Sequence, residues 1–285
     1  MTSTAWQEFE LAAADGVRLV GRYGGSGEPV LFLHGSGGGL HSWAPIAERL
    51  SGEYQVWLVA RRGYGPSGQP APGKRFADEV DDVHRLVRQI GATNGAVEPG
   101  VHLVGASYGA YVALHTALAE PGGLRSLAVF EPPLFAAGPR IDPLATRYRE
   151  AFERGDTAAS LAVLNEVTLV PEQIVAAFAA ASAAEPDPVE ARRAGLGWRH
   201  DLDALAADDT DLARWSGIAL PSLVMAGGDT WPPMPETTRG LAAALPDARL
   251  VVWPGQLHFA TATAPDLVAD TLREFLTALP PRTAR

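Results

Sequence analysis

Val101-His102-Leu103-Val104-Gly105-Ala106-Ser107-Tyr108-Gly109-Ala110-Tyr111-Val112-Ala113-Leu114 reads as a short apolar strand, a glycine-flanked serine and the start of a helix. The serine lies in the pattern G-x-S-x-G, in the strand-to-helix setting that gives the pattern its meaning. A strand that turns this sharply into a helix crowds the two elements together, so only residues without side chains fit on either side. The same turn holds the serine backbone in a strained conformation and pushes its hydroxyl outward, where a base can reach it. The helix that follows aims its free N–H groups, that of Tyr108 among them, at the place where a developing oxyanion would sit.

Outward from this turn, apolar runs recur at Glu8–Ala12, Val17–Tyr23, Val30–His34, Gln55–Ala60, His102–Gly105, Leu127–Glu131, Leu223–Ala226 and Leu250–Trp253. The Asp15-Gly16 pair marks an antiparallel hairpin between the first two. The later runs are continuously apolar and alternate with helical periods at Trp43–Leu50, Phe76–Ile90, Tyr108–Ala119, Glu236–Leu245 and Asp266–Leu279, as parallel strands covered on both faces require. The expected fold is α/β, a mostly parallel eight-stranded sheet flanked by helices. Between Leu134 and about Ser216 the strand rhythm stops, and alanine-rich helical patterns are broken by Pro143, Gly155, Pro171, Pro186 and Pro188. That stretch is read as a helical insertion after the sixth strand, with 1–134 and 216–285 forming the core and 135–215 a smaller second domain over the sheet's carboxyl edge.

Composition narrows the chemistry. The chain has 285 residues, 47% of them hydrophobic, and a formal charge of −10, which disfavours nucleic acid and anionic membranes as partners. Cysteine is absent, which removes disulfides, thiolate nucleophiles and cysteine-bearing metal sites. Of the 23 basic residues only Lys74 is a lysine, which is read as compositional bias along with the abundance of alanine. The stretch Met1–Glu8 lacks the basic and apolar regions of a secretory signal, and the alanine run 176–184 is too short for a membrane span, so a cytoplasmic location is expected. No histidine pair has metal-ligand spacing with a carboxylate, so no metal is expected.

Val30-Leu31-Phe32-Leu33-His34-Gly35-Ser36-Gly37-Gly38-Gly39 is a buried strand running into a glycine-rich loop, without the lysine of a phosphate-binding loop. Gly63-Tyr64-Gly65-Pro66-Ser67-Gly68 satisfies G-x-G-x-x-G, yet Gln69-Pro70-Ala71-Pro72-Gly73 follows where a dinucleotide site needs a helix, so no cofactor is expected. Taken with Gly105–Gly109, the glycine loop at Gly35 to Gly39, Arg62-Gly63-Tyr64-Gly65-Pro66-Ser67 and the position of the helical insertion, the chain resembles the α/β-hydrolase superfamily along nearly its whole length. It departs from that family's pattern at Ala60, near where an aspartate is usual.

The resemblance implies a serine hydrolase with Ser107 as nucleophile and His258, in Pro254-Gly255-Gln256-Leu257-His258-Phe259, as base. It gives the helical insertion the role of a cap. It puts the oxyanion donors at the N–H groups of Ser36 and Tyr108, with His34 ordering their loop. The acid falls at Asp229 after the seventh strand, one residue before the family's usual position, which here is Thr230; Glu131, at the end of the sixth strand, is the alternative. His34, Gly35, Trp43, Tyr108, Phe135, Trp198, Trp231 and Phe259 are the expected pocket residues, while Arg140 and Arg147 are read as solvated. The remaining histidines, His41, His84, His102, His115 and His200, are read as packing or surface residues.

The expected reaction is cleavage of an ester, lactone or thioester of a medium-sized, fairly apolar acyl compound through an acyl-enzyme. The same fold also permits C–C bond hydrolysis, cofactor-free perhydrolysis, and biosynthetic cyclisation or acyl transfer; a non-catalytic small-molecule binder is the reading from another class. The expected partner is a small-molecule substrate, and monomer and homo-oligomer are both compatible with the sequence.

Overall fold

The computed structural model describes residues 5–97, 99–181 and 188–280. Its elements run β1 (Gln7–Ala12), β2 (Arg18–Gly24), β3 (Pro29–Leu33), α1 (Ala44–Leu50), β4 (Gln55–Ala60), α2 (Phe76–Asn94), β5 (Val101–Ala106), α3 (Tyr108–Ala119) and β6 (Leu124–Phe130). Then come α4 (Ile141–Glu153), α5 (Thr157–Thr168), α6 (Glu172–Ala181) and α7 (Pro188–Ala206), followed by β7 (Ser222–Gly227), α8 (Met234–Ala244), β8 (Ala248–Trp253), α9 (Ala260–Thr263) and α10 (Pro265–Ala278).

The strands form one sheet in the order β1-β2-β4-β3-β5-β6-β7-β8, in which only β2 runs against the rest. Side chains alternate across it with the two-residue strand period. Leu31, Leu33, Leu103, Leu127 and Val129 pack under α2 and α3, while Val30, Phe32, Val104, Ala128 and Met225 pack under α1 and α10. Every residue of β3, β5 and β7 is buried, which is why those strands lack a polar face.

The chain leaves β3 for β4 on one side and later enters β5 on the other, so the carboxyl ends of β3 and β5 flank the point where strand order reverses. Open α/β sheets hold their ligands at such a point. Between β6 and β7 the described regular elements are all helical. Their apolar residues, among them Ile141, Leu144, Val163, Leu202 and Leu205, belong to the same cluster that lies under α3.

Gly155 separates α4 from α5 with φ 70°, Pro171 precedes α6, and Pro188 opens α7. Pro143 is not a break. It occupies the first turn of α4, where its missing N–H costs no helical hydrogen bond. Pro186 and residues 1–4 fall outside the described residues. Gln69 to Gly73 are loop, and α2 begins only at Phe76. Among the described residues no helix is long and apolar enough to cross a membrane.

Candidate active site

Ser107 joins β5 to α3 with φ 53° and ψ −126°, a left-handed backbone that a residue with a side chain adopts only under constraint. The constraint is packing on both sides. A Cβ on Gly105 would lie 2.4 Å from the Gly109 carbonyl oxygen, and one on Gly109 would lie 2.3 Å from that of Leu33. The Ser107 N–H donates to the Phe130 carbonyl (2.8 Å), tying the turn to the end of β6. Tyr108 is the first residue of α3, so its N–H lies in the first turn, ahead of any intrahelical acceptor.

His258 lies in the loop between β8 and α9, with its ring stacked on Phe130 at 5.8 Å and edge-on to Trp231 and Phe259. Its Nδ1 is 2.7 Å from Glu131 Oε2. The other carboxylate oxygen of Glu131 accepts the Gly227 N–H (2.8 Å), and the Glu131 side chain is wholly enclosed. Glu131 is the second strained residue of the site, with φ 43°. A carboxylate on Nδ1 fixes the tautomer that leaves the Nε2 lone pair free.

The carboxylate that meets His258 is therefore Glu131, not Asp229, which is the correction the structure makes to the sequence reading. Asp229 lies in the turn after β7, exposed, with its N–H donating to the Gln256 carbonyl (2.9 Å). The turn carries its side chain outward, whereas the strained backbone at the end of β6 carries Glu131 inward. Thr230, at the family's usual acid position, is buried.

Ser107 and His258 open into two adjoining cavities. The larger, about 300 Å³, is bordered by Ser36, Tyr108, Phe135, Trp198, Trp231 and Phe259, with α5 supplying Leu161, Leu164, Asn165, Val167 and Thr168. The second, about 230 Å³, is bordered by Gly35, Ser36, Gly38, His41, Ser42 and Trp43. Trp43 is almost wholly buried there, its indole N–H donating to the Leu33 carbonyl (3.0 Å).

His34 borders neither cavity, which corrects its expected place in the pocket. It lies beneath the loop. Its Nε2 accepts the Arg61 N–H (3.0 Å), so its Nδ1 carries the proton and donates to the Gly35 carbonyl (2.7 Å). Burial, reinforced by the charge of Arg61, pushes its pKa down to about 3. Arg140 and Arg147 also point away from the cavities: Arg140 donates to the Glu166 and Val167 carbonyls, and Arg147 pairs with Glu166 at the surface.

Sequence reasoning missed a second polar array behind the glycine-rich loop that follows β3. Arg61, Lys74, Glu79 and Asp201 form a quartet in which no side chain is more than 3% exposed. Arg61 bridges Glu79 (2.5 Å) and Asp201 (2.8 Å), and Lys74 bridges the same two carboxylates (2.9 and 2.5 Å). Asp201 also accepts hydrogen bonds from the Ser36 hydroxyl (2.6 Å) and the Tyr64 hydroxyl (2.7 Å), while Glu79 accepts one from the Tyr108 hydroxyl (2.8 Å). Burial opposes the charge on Asp201, but Arg61 and Lys74 outweigh it and hold the carboxyl well below its ordinary range. Burial and the nearby carboxylates push the Tyr64 and Tyr108 phenols up, so both remain neutral donors. The one available signal was Lys74 itself, a single lysine in a chain that otherwise uses arginine. Among the described residues no group of three His, Asp or Glu side chains is placed to hold a metal ion.

A family model for the alpha/beta hydrolase family matches residues 30–271. The pimeloyl-[acyl-carrier protein] methyl ester esterase of Xanthomonas campestris pv. campestris is 28% identical over 281 residues, covering 90% of this chain and 98% of that protein. The dihydrolipoyllysine-residue acetyltransferase component of the acetoin cleaving system of Cupriavidus necator is 29% identical over 168 residues, 59% of this chain but only 42% of that longer protein. Among solved structures, an alpha/beta hydrolase from Sphaerobacter thermophilus matches with a TM-score of 0.76 and 28% identity, over 94% of this chain and 100% of that one. With the family model running from β3 into α10, the chain belongs to the alpha/beta hydrolase family.

Proposed function

We propose that the protein hydrolyses carboxylic esters of uncharged, largely apolar acyl groups. One observation carries this reading: the strained Ser107 and the Glu131–His258 pair converge on a cavity of about 300 Å³ with no Asp, Glu, Lys or Arg among its lining residues. Burying a charged acyl tail there would leave the charge unpaired, whereas an aliphatic or aromatic one gains the transfer energy of its apolar surface. Asn165 and Thr168 provide the polar points within an otherwise apolar wall. The second cavity, with Ser42, His41 and the glycine loop on its border, suits the alcohol portion. The helical insertion acts as the cap that sets acyl size.

In the mechanism His258 Nε2 takes the Ser107 proton as Oγ attacks the ester carbonyl carbon. The Ser36 and Tyr108 N–H groups hold the resulting oxyanion. Collapse breaks the C–O bond to the alcohol, which leaves with the proton from His258, and the acyl group stays on Ser107. Water, deprotonated by His258, attacks this ester in turn; the acid leaves and Ser107 recovers its proton. Glu131 stabilises the imidazolium throughout without taking the proton. The 28% identity to a methyl ester esterase over nearly the full length of both chains supports ester cleavage as the reaction.

The test is labelling with a fluorophosphonate, read by peptide mass, beside a panel of p-nitrophenyl esters. A single adduct on Ser107 is expected, with Ser107→Ala lowering turnover by about 10⁴-fold or more. Neutral acyl chains should be preferred over ones ending in a carboxylate. An unlabelled Ser107, or a Ser107→Ala protein that keeps its activity, overturns the reading.

A further inference from the structure

We infer that Asp201 is a positioning residue through which helix α7 of the insertion sets the oxyanion loop, so that filling of the acyl cavity and alignment of the oxyanion donors are coupled. The inference rests on the proposed roles of Ser36 and Tyr108.

Three positions of α7 touch the loops around the oxyanion site. Gly197 packs on the Tyr64 ring so closely that a Cβ there would lie 2.2 Å from a ring carbon. The indole nitrogen of Trp198 sits 3.1 Å from where a Cβ of Gly37 would stand. Asp201, one turn beyond Gly197, receives the hydroxyls of Ser36 and Tyr64. The missing side chain at Gly197 is what lets the helix come down far enough for Asp201 to reach both hydroxyls.

The bond from Ser36 to Asp201 is a tether, because the proposed oxyanion donor of Ser36 is its backbone N–H and its side chain is free for another task. Tyr108 is tethered in the same way through its hydroxyl to Glu79, and Arg61 and Lys74 join Glu79 to Asp201. Arg61 also donates from Nε to the His34 carbonyl (2.7 Å), two residues before Ser36. Both donor residues therefore hang from one charge-balanced frame, and one corner of that frame belongs to the insertion.

That same helix carries Trp198 and Leu205 into the acyl cavity wall. An acyl chain packed against these two residues presses on the element that holds Ser36, so binding energy from the acyl chain is spent on aligning the N–H groups for the transition state. Such use of remote binding raises kcat, not only affinity.

The experiment measures kcat and KM for p-nitrophenyl acetate and hexanoate, normalised to the active sites titrated by fluorophosphonate, for the wild type, Asp201→Asn, Ser36→Ala and Ser36→Thr. A trifluoromethyl ketone, which forms a tetrahedral adduct, reports on the oxyanion site. Asp201→Asn and Ser36→Ala should each lower kcat by about 10- to 100-fold, with a smaller change in KM, and weaken the ketone by a similar factor. The kcat advantage of hexanoate over acetate should shrink in both. Ser36→Thr, which keeps the hydroxyl, should recover most of the loss.

Ser36→Ala leaves the buried quartet intact and so remains informative if Asp201→Asn does not fold. Wild-type kcat and ketone affinity in Ser36→Ala, or a loss in Asp201→Asn confined to thermal stability, overturns the inference. If the wild type is not labelled at Ser107, it is the proposed function that fails.

Discussion

Two buried polar arrays meet at Ser36 and Tyr108, and they are built on opposite principles. The Glu131–His258 pair has one carboxylate against one imidazole and one backbone N–H, and its outer end opens into a cavity. The quartet of Arg61, Lys74, Glu79 and Asp201 has two charges of each sign, bridged in every direction and shut away from solvent. An array left one proton short can take and return a proton during a reaction cycle. A charge-balanced array in a low-dielectric site resists any change of state, which suits it to holding geometry. Under the proposed function, chemistry and position fall to separate sets of buried groups, and Ser36 and Tyr108 are where the sets join.

The largest effect expected from this division lies in the first array. Glu131→Gln keeps the shape of the side chain but removes the charge and allows the wrong imidazole tautomer, so kcat should fall by about 10⁴-fold. Asp229→Asn, at an exposed turn, should leave it within about twofold. Ester hydrolysis by the two variants side by side decides which carboxylate serves His258. If Asp229→Asn proves the damaging change, the division of labour is misplaced.

In the second array the cost should appear as stability. Lys74→Met leaves two enclosed carboxylates sharing a single guanidinium, and removal of one partner from a buried ion network costs about 3–5 kcal/mol. Arg147→Ala breaks the half-exposed pair with Glu166 and should cost no more than about 1 kcal/mol. Urea unfolding, followed by tryptophan fluorescence, measures both. Equal losses from the two substitutions would mean that the quartet is not the rigid frame described here.

The two arrays also differ in how far the sequence discloses them. Gly105, Ser107 and Gly109 are legible because they form one short pattern at one turn: Gly105 is crowded by Gly109 and Ala110 just beyond it, and Gly109 by the carbonyls of Leu33 and His34 at the end of β3. His258 follows from its place after the last strand. The sequence leaves both Asp229 and its alternative Glu131 open as the partner of His258, because each follows a strand and which one turns inward depends on the backbone there, φ 43° at Glu131.

The quartet joins Arg61 to Asp201 across 140 positions of sequence, and none of its members lies in a motif of its own. Arg62, within the recognised R-G-x-G-x-S segment, instead pairs with Asp82 and Asp15. The strands were legible for the same reason as the glycines: continuous apolar runs such as Val30–Leu33 have no other low-energy place than between two layers of helices. The α5 wall of the cavity was not, since Leu161, Leu164 and Val167 follow an ordinary helical period and only tertiary packing turns them toward Ser107.

The smallest expected effect concerns pH, and it separates His34 from the quartet beneath it. With an ordinary value of 6.5 and a folded value of about 3, His34 stays neutral in the fold while the unfolded chain takes up a proton, so its contribution is complete above about 6.5 and is lost as pH falls toward 3. The slope is about 1.4 kcal/mol per pH unit for one linked proton. His200, whose pKa burial also lowers, acts in the same direction.

Asp82 acts against them. Burial raises its carboxyl to about 6 even though it is paired with Arg62, so between about 4 and 6 the folded state holds a proton that the unfolded state lacks, and stability drops as pH rises. Asp201 contributes nothing to the slope in this range, because a lowered carboxyl loses its contribution only below its ordinary value of 3.8. Urea midpoints between pH 4.5 and 6 should therefore rise only modestly with pH in the wild type, because Asp82 offsets part of the slope that His34 and His200 give. His34→Asn should flatten that rise, leaving His200 against Asp82, and Asp82→Asn should steepen it. Parallel profiles for the two variants would mean that the imidazole under the glycine loop titrates as freely as one in water, and the loop would then lack the neutral brace on which Gly35 and Arg61 both close.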